Sequence, residues 1–118
     1  MKNRHLLLMF AASLSVTVPT AHAAYPEKPI RIIVPYPPGG NIDITARAIA
    51  PGLTEALGQQ VVVDNRGGAG GTIGAELAAK SAPDGYTLLL GSTGTLTTAP
   101  ALYPKLGYDP VKDRKSVV

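Results

Sequence analysis

Between residues 30 and 102 the hydrophobic positions switch between two kinds of spacing. Ile30-Arg31-Ile32-Ile33-Val34 is a short β-branched run stopped by Pro35. Its near-continuous apolarity suits a strand buried on both faces of a parallel sheet. From Ile42 the period lengthens. Ala46, Ile49, Ala50, Leu53 and Leu57 recur at three- and four-residue steps, which predicts a helix ending near Gly58. Pro51 falls inside this run and cannot donate to the Arg47 carbonyl, so a kink or local break is expected there. Val61-Val62-Val63 predicts a second strand, and residues 72–80 a second helix with Ile73, Leu77 and Lys80 on one side and alanines filling close contacts. Tyr86-Thr87-Leu88-Leu89-Leu90 predicts a third strand, and residues 96–102 a short helix. Pro83-Asp84-Gly85 and Tyr108-Asp109-Pro110 read as turns. Strands and helices alternating over short connections predict an α/β domain with a parallel sheet and right-handed crossovers.

The segment before the first strand follows a different logic. Lys2 and Arg4 form a basic start, residues 6–18 are apolar apart from Ser13, Ser15 and Thr17, Pro19 breaks the run, and Ala21-His22-Ala23 ends it with small residues at the cleavage positions. This is the pattern of a secretory signal peptide over residues 1–23, too short in its apolar part for the roughly 20 residues of a bilayer span. The charge changes accordingly. Lys2 and Arg4 leave with the leader, so 11 basic residues become 9 against 8 acidic ones, and a net charge of +3 becomes +1. No basic cluster with interleaved aromatics remains, and nucleic acid is not expected as a partner. Both histidines, His5 and His22, also belong to the leader, and the 118-residue chain has no cysteine. Disulfide frameworks, thiolate metal sites and histidine-based catalysis are therefore excluded from residues 24–118, and neither a metal nor a cofactor is expected.

Three polar or glycine-rich loops, each after a predicted strand, carry what chemistry is left. They are Tyr36-Pro37-Pro38-Gly39-Gly40-Asn41, residues 65–71, and Gly91-Ser92-Thr93-Gly94-Thr95. In an open parallel sheet this edge is where ligands bind. Glycines let backbone N–H groups approach a ligand, and a following helix adds a partial positive charge of about half a unit at its N-terminus. A carboxylate or phosphate suits such a rim. The nucleotide motifs fit poorly: no Gly-Lys pair is present, and the G-x-G-x-x-G fingerprint starting at Gly68 and Gly70 meets Ile73 at its third position. Ser92 and Thr93 lack a histidine to activate them. Asp64 and Asp84 read as a strand terminus and a turn former. Asp43 is placed to cap the first helix, either as a cap alone or with a ligand contact besides. Arg66 reads as an exposed loop arginine or a carboxylate clamp, and Tyr36 as a pocket wall or as packing over the sheet edge.

Five strings in order then make a pattern. Val34-Pro35-Tyr36-Pro37-Pro38-Gly39-Gly40-Asn41-Ile42-Asp43, Leu57-Gly58-Gln59-Gln60-Val61-Val62-Val63-Asp64-Asn65-Arg66, Gly68-Ala69-Gly70-Gly71-Thr72-Ile73-Gly74, Pro83-Asp84-Gly85-Tyr86-Thr87 and Tyr108-Asp109-Pro110-Val111-Lys112-Asp113 resemble the Bug family, the periplasmic solute-binding proteins of tripartite tricarboxylate transporters. The resemblance implies an α/β lobe of a type II periplasmic-binding-protein, or Venus-flytrap, fold. It implies a monomeric binding protein that captures a small carboxylate for membrane permease subunits, and not an enzyme; the alternative is an exported α/β enzyme using a nucleotide or phosphate. The ligand-binding positions it implies are Tyr36, Pro38, Gly39, Gly40, Asp43, Asn65, Gly68, Ala69, Gly70, Gly71, Ser92 and Thr93. A flytrap needs two domains of roughly 100–150 residues each, so residues 24–118 are expected to be a partial, truncated N-terminal lobe with the second lobe absent. Gly67 stands where the family usually has proline and is expected to loosen the second loop.

Overall fold

A computed structural model describes residues 24–113; the predicted leader lies outside the described residues. Three parallel strands form one sheet in the order β2-β1-β3, with β1 at Ile30–Val34, β2 at Val61–Asn65 and β3 at Thr87–Leu89. Ile30 faces Val61 and Val34 faces Asn65 across one side, while Arg31 faces Thr87 and Ile33 faces Leu89 across the other. Central position explains the composition of β1. Ile30, Ile32, Ile33 and Val34 are all buried, because helices cover both faces of a strand that has neighbours on both sides.

Helix α1, Asn41–Leu57, covers one face and helix α2, Thr72–Lys80, the other. Under α1 the core consists of Ile30, Ile32, Val34, Ala46, Ala50 and Val61, with Tyr36, Ile42, Leu53, Val63, Tyr86 and Leu90 packed around it. Small Ala46 and Ala50 set the helix close to the sheet. The apolar stripe read from the sequence is thus only partly correct, since Ile49 and Leu57 are exposed and Ile42 takes part instead. Of the kink or break expected at Pro51, the break does not occur: the helix runs on to Leu57 and Gly58, whose φ of 68° ends it while its N–H bonds the Thr54 carbonyl. Thr54 also stitches the helix end to the sheet, its Oγ1 accepting the Val61 N–H at 3.0 Å.

On α2 the small residues fill the close contacts, as expected, and the side that carries Ile73, Leu77 and Lys80 faces outward. Gly74 and Ala75 are the buried side, and Ile73 and Leu77 are exposed. The reason is distance. A Cβ on Gly74 would lie 2.6 Å from the Arg66 carbonyl oxygen and 2.8 Å from Pro35 Cα, so the helix axis comes too near the backbone for a large residue on that side. The chain after β3 coils earlier than expected. A wide helical turn spans Gly94–Thr98 and runs into α3, Ala99–Leu102. Thr95, read as a loop residue, is therefore buried in the first turn. The final turn behaves as predicted. Asp109 Oδ1 accepts the Val111 and Lys112 N–H groups, which hold its carboxyl below the ordinary value, and buried Tyr108 donates to the Thr95 carbonyl at 2.6 Å.

Candidate functional site

The register puts the C-terminal ends of β1, β2 and β3 on one edge, so the three loops meet there. Tyr36 is their shared neighbour. Its backbone carbonyl accepts Asn65 Nδ2 at 3.1 Å, and its hydroxyl lies 2.5 Å from Ser92 Oγ. Gly71, at φ 95°, backs directly onto the same ring. A Cβ there would lie 3.1 Å from Tyr36 Cζ and 2.7 Å from Thr95 Cγ2, so only glycine fits. Gly67 packs similarly, since a Cβ on it would approach Pro37 Cδ to 3.2 Å.

Beneath the rim, Asp43 ties the first loop to β2. Helix α1 opens at Gly40, which has no side chain to cap it, and Asp43 in the first turn reaches back so that its Oδ2 accepts the Gly39 N–H at 2.9 Å. Arg47 Nε, one turn on, donates to both Asp43 oxygens at 3.0 and 3.1 Å, and Asn65 Nδ2 donates to Oδ1 at 2.9 Å. Arg47 Nη2 then closes the circuit on Asn65 Oδ1 at 3.0 Å. The Gly39 amide, followed by the Arg47 and Asn65 bonds, holds the Asp43 carboxyl at about 2, below its ordinary 3.8. A 3%-exposed carboxylate with this many internal partners is a cap and a tie. The cap expected of Asp43 is thus formed.

The other charges near the rim are also paired. Arg66 Nε bonds Asp64 Oδ1 at 2.9 Å, and Arg31 approaches Asp64 Oδ2 at 3.4 Å. Asp84 is a turn former, accepting the Tyr86 N–H. What faces outward is backbone. Pro38, Gly39, Gly40, Gly68, Ala69, Gly70 and Thr93 are exposed, and Ala69, Gly70 and Gly71 hold positive φ as a short turn that leads into α2. The first intrahelical bond of α1 runs from Ile44 N–H to the Gly40 carbonyl, which leaves amides at the start of the helix for a ligand or water. Such a rim can hold an anion by hydrogen bonds and helix dipoles. It offers no nucleophile with a base beside it. Among the described residues, no group of three or more His, Cys, Asp or Glu side chains is arranged to hold a metal.

Sequence reasoning missed Arg47, Thr95 and Tyr108. The spacing of Asp43 and Arg47, one helical turn apart, is a legible signal for the first. Thr95 is tied locally, to Ser92 three residues before it, whereas Tyr108 reaches the Thr95 carbonyl from 13 residues away and nothing local marks it. A groove of about 740 Å³ lies on the side of the sheet that α2 covers. It runs along β3 between α2 and the 108–113 turn, and Ala75, Ala78, Leu89 and Pro110 line part of it.

A parallel α/β lobe of this shape is that of periplasmic binding proteins, and its solved structural neighbours are proteins of that class. MatC from Rhodopseudomonas palustris, solved with bound malate, superposes with a TM-score of 0.72 at 44% identity, over 75% of this chain and 30% of that one. Another R. palustris protein, solved with adipate, gives 0.69 at 42% identity over 73% of this chain and 29% of its own. By sequence, BugT of Bordetella pertussis is 47% identical over 106 residues, 89% of this chain and 32% of BugT. The profile of the family described as "Tripartite tricarboxylate transporter family receptor" matches residues 45–118. The chain belongs to that family, to which the Bug proteins it resembles also point. It spans about a third of the length of the curated relatives it matches.

Proposed function

We propose that residues 24–118 form a partial N-terminal lobe of a periplasmic solute receptor, exported by the leader at residues 1–23, and that its three-loop rim binds one carboxylate group of a small organic acid. The observation that carries this reading is the convergence of exposed loop backbone and two helix N-termini on one sheet edge where every nearby arginine is already paired. Pro38, Gly39, Gly40, Gly68, Ala69, Gly70, Gly71, Ser92 and Thr93 supply the contact surface. Tyr36, Asp43 and Asn65 shape it. The malate and adipate held by two structural neighbours support the substrate class. In this role the loaded receptor acts as a monomer, needs no cofactor, and hands its solute to membrane permease subunits.

The test is a titration of malate and adipate into the isotope-labelled chain, followed by amide shifts. Binding in the millimolar range is expected, with shifts concentrated at Gly40, Asn41, residues 67–71 and Thr93. A set of unmoved rim amides at saturating acid, or equal shifts over the whole surface, would refute the reading. Inorganic phosphate and a nucleotide serve as controls, and tighter binding of either would favour a phosphate-using protein instead.

A further inference from the structure

Tyr36 and Ser92 are paired in a way that decides where one proton points. Ser92 Oγ has two lone pairs and a single hydrogen. The Thr95 N–H points at it from 3.4 Å, and the Tyr36 hydroxyl lies 2.5 Å away. The pair could bond in either direction, but the two directions are not equivalent. A phenol is the more acidic hydroxyl and the better donor, and an aliphatic hydroxyl is the better acceptor. The surroundings favour the same direction. Gly71 and Gly94 enclose the Tyr36 oxygen so closely that a Cβ on either would lie 3.1 or 3.0 Å from it, and Ser92 is the one hydrogen-bond partner of this hydroxyl among the described residues. If Ser92 donated to Tyr36, the tyrosine's own hydrogen would have no acceptor there. With Tyr36 and Thr95 both donating, the lone pairs of Ser92 are filled. Its hydrogen is then used by neither partner, on a residue that is only half-buried.

We infer that Tyr36 is a positioning residue that acts through Ser92: its hydroxyl donates to Ser92 Oγ and so commits the Ser92 hydrogen to the bound carboxylate. Tyr36 itself does not line the ligand. The inference rests on the carboxylate-binding reading and adds to it one hydroxyl donor beside the amides. It also gives a reason for the glycines at 71 and 94, which leave room for the phenol at the point where all three loops meet.

The experiment compares malate affinity in the wild-type chain, Tyr36→Phe, Ser92→Ala and the double variant. Each single change is expected to weaken binding about tenfold, the effect of one hydrogen bond to a charged group, and the double variant no further. Losses that multiply in the double variant, or unchanged affinity in Tyr36→Phe, overturn the inference while leaving carboxylate binding intact. A wild-type chain that binds no malate overturns both. A second measurement covers the case in which Tyr36→Phe does not fold. Replacing Tyr36 alone with 3-fluorotyrosine, at a pH low enough to keep the phenol protonated, strengthens the donor without removing it. Tighter malate binding is expected from a donor that polarises Ser92; unchanged or weaker binding overturns it, and a purely structural ring would give no tightening. Amide exchange in β1 reports folding in every variant.

Discussion

Gly74→Ala is expected to cost about 3 kcal/mol of folding stability, the upper part of the usual range for forcing an extra methyl into a packed interior. The added carbon would meet the Arg66 carbonyl oxygen at 2.6 Å and Pro35 Cα and Cβ at 2.8 Å. Two of those three atoms belong to backbone, at the start of the first and second loops, so no side-chain rotation relieves the contact. Helix α2 must move off the sheet, and the rim moves with it. Gly52→Ala is the matching control. Gly52 lies within α1 with nothing within 4 Å of a Cβ, so there the same substitution should stabilise by about 0.5–1 kcal/mol through helix propensity. Urea unfolding of the two variants measures both. Equal effects at the two positions would mean that α2 does not approach β1 as closely as described.

The second large effect is expected at Asp43. In Asp43→Asn, an amide NH₂ replaces one carboxylate oxygen among three donors, the Gly39 amide, Arg47 and Asn65, so at least one donor faces another donor. A fall in Tm of about 5–10 °C is expected near neutral pH. The acid response gives a sharper test. The folded carboxyl titrates at about 2, below its ordinary 3.8. Its stabilisation is therefore complete above the unfolded value and is lost as pH falls from about 4 towards 2. Wild-type Tm should drop across that window. Asp43→Asn, with nothing to protonate there, should show a shallower drop. Parallel curves for the two proteins would show that the carboxylate is not what holds the first loop to β2. In the variant, faster amide exchange at Gly39 would locate the loss at the rim.

These two positions differ in how far sequence reading could reach them. Asp43 was legible. An acidic residue at the head of an apolar-periodic run, one turn before an arginine, predicts a helix-start tie, because its Gly39 and Arg47 partners are only four residues away. Gly74 was not. It lies in a regular helical pattern, and its buried side looks like the weaker face because Ile73 and Leu77 are larger. Which face of α2 is inward depends on how closely the helix approaches Pro35 and Arg66, and no periodicity encodes that distance. The same limit explains Ile49 and Leu57 on α1.

Local, repetitive features were thus settled by the sequence itself: three strands, the two long helices between them, the glycine stop at Gly58, and the turns at Asp84 and Asp109. Each rests on hydrogen bonds or apolar spacing within a few residues. Only the tertiary structure decided that Tyr36 stands between all three loops, that Asn65 closes the Asp43–Arg47 circuit, and that Thr95 and Tyr108 are buried behind Ser92. Those contacts join residues 13 to 56 positions apart. They exist because parallel strands in register bring the ends of β1, β2 and β3 to one edge, and the rim takes its shape from that convergence.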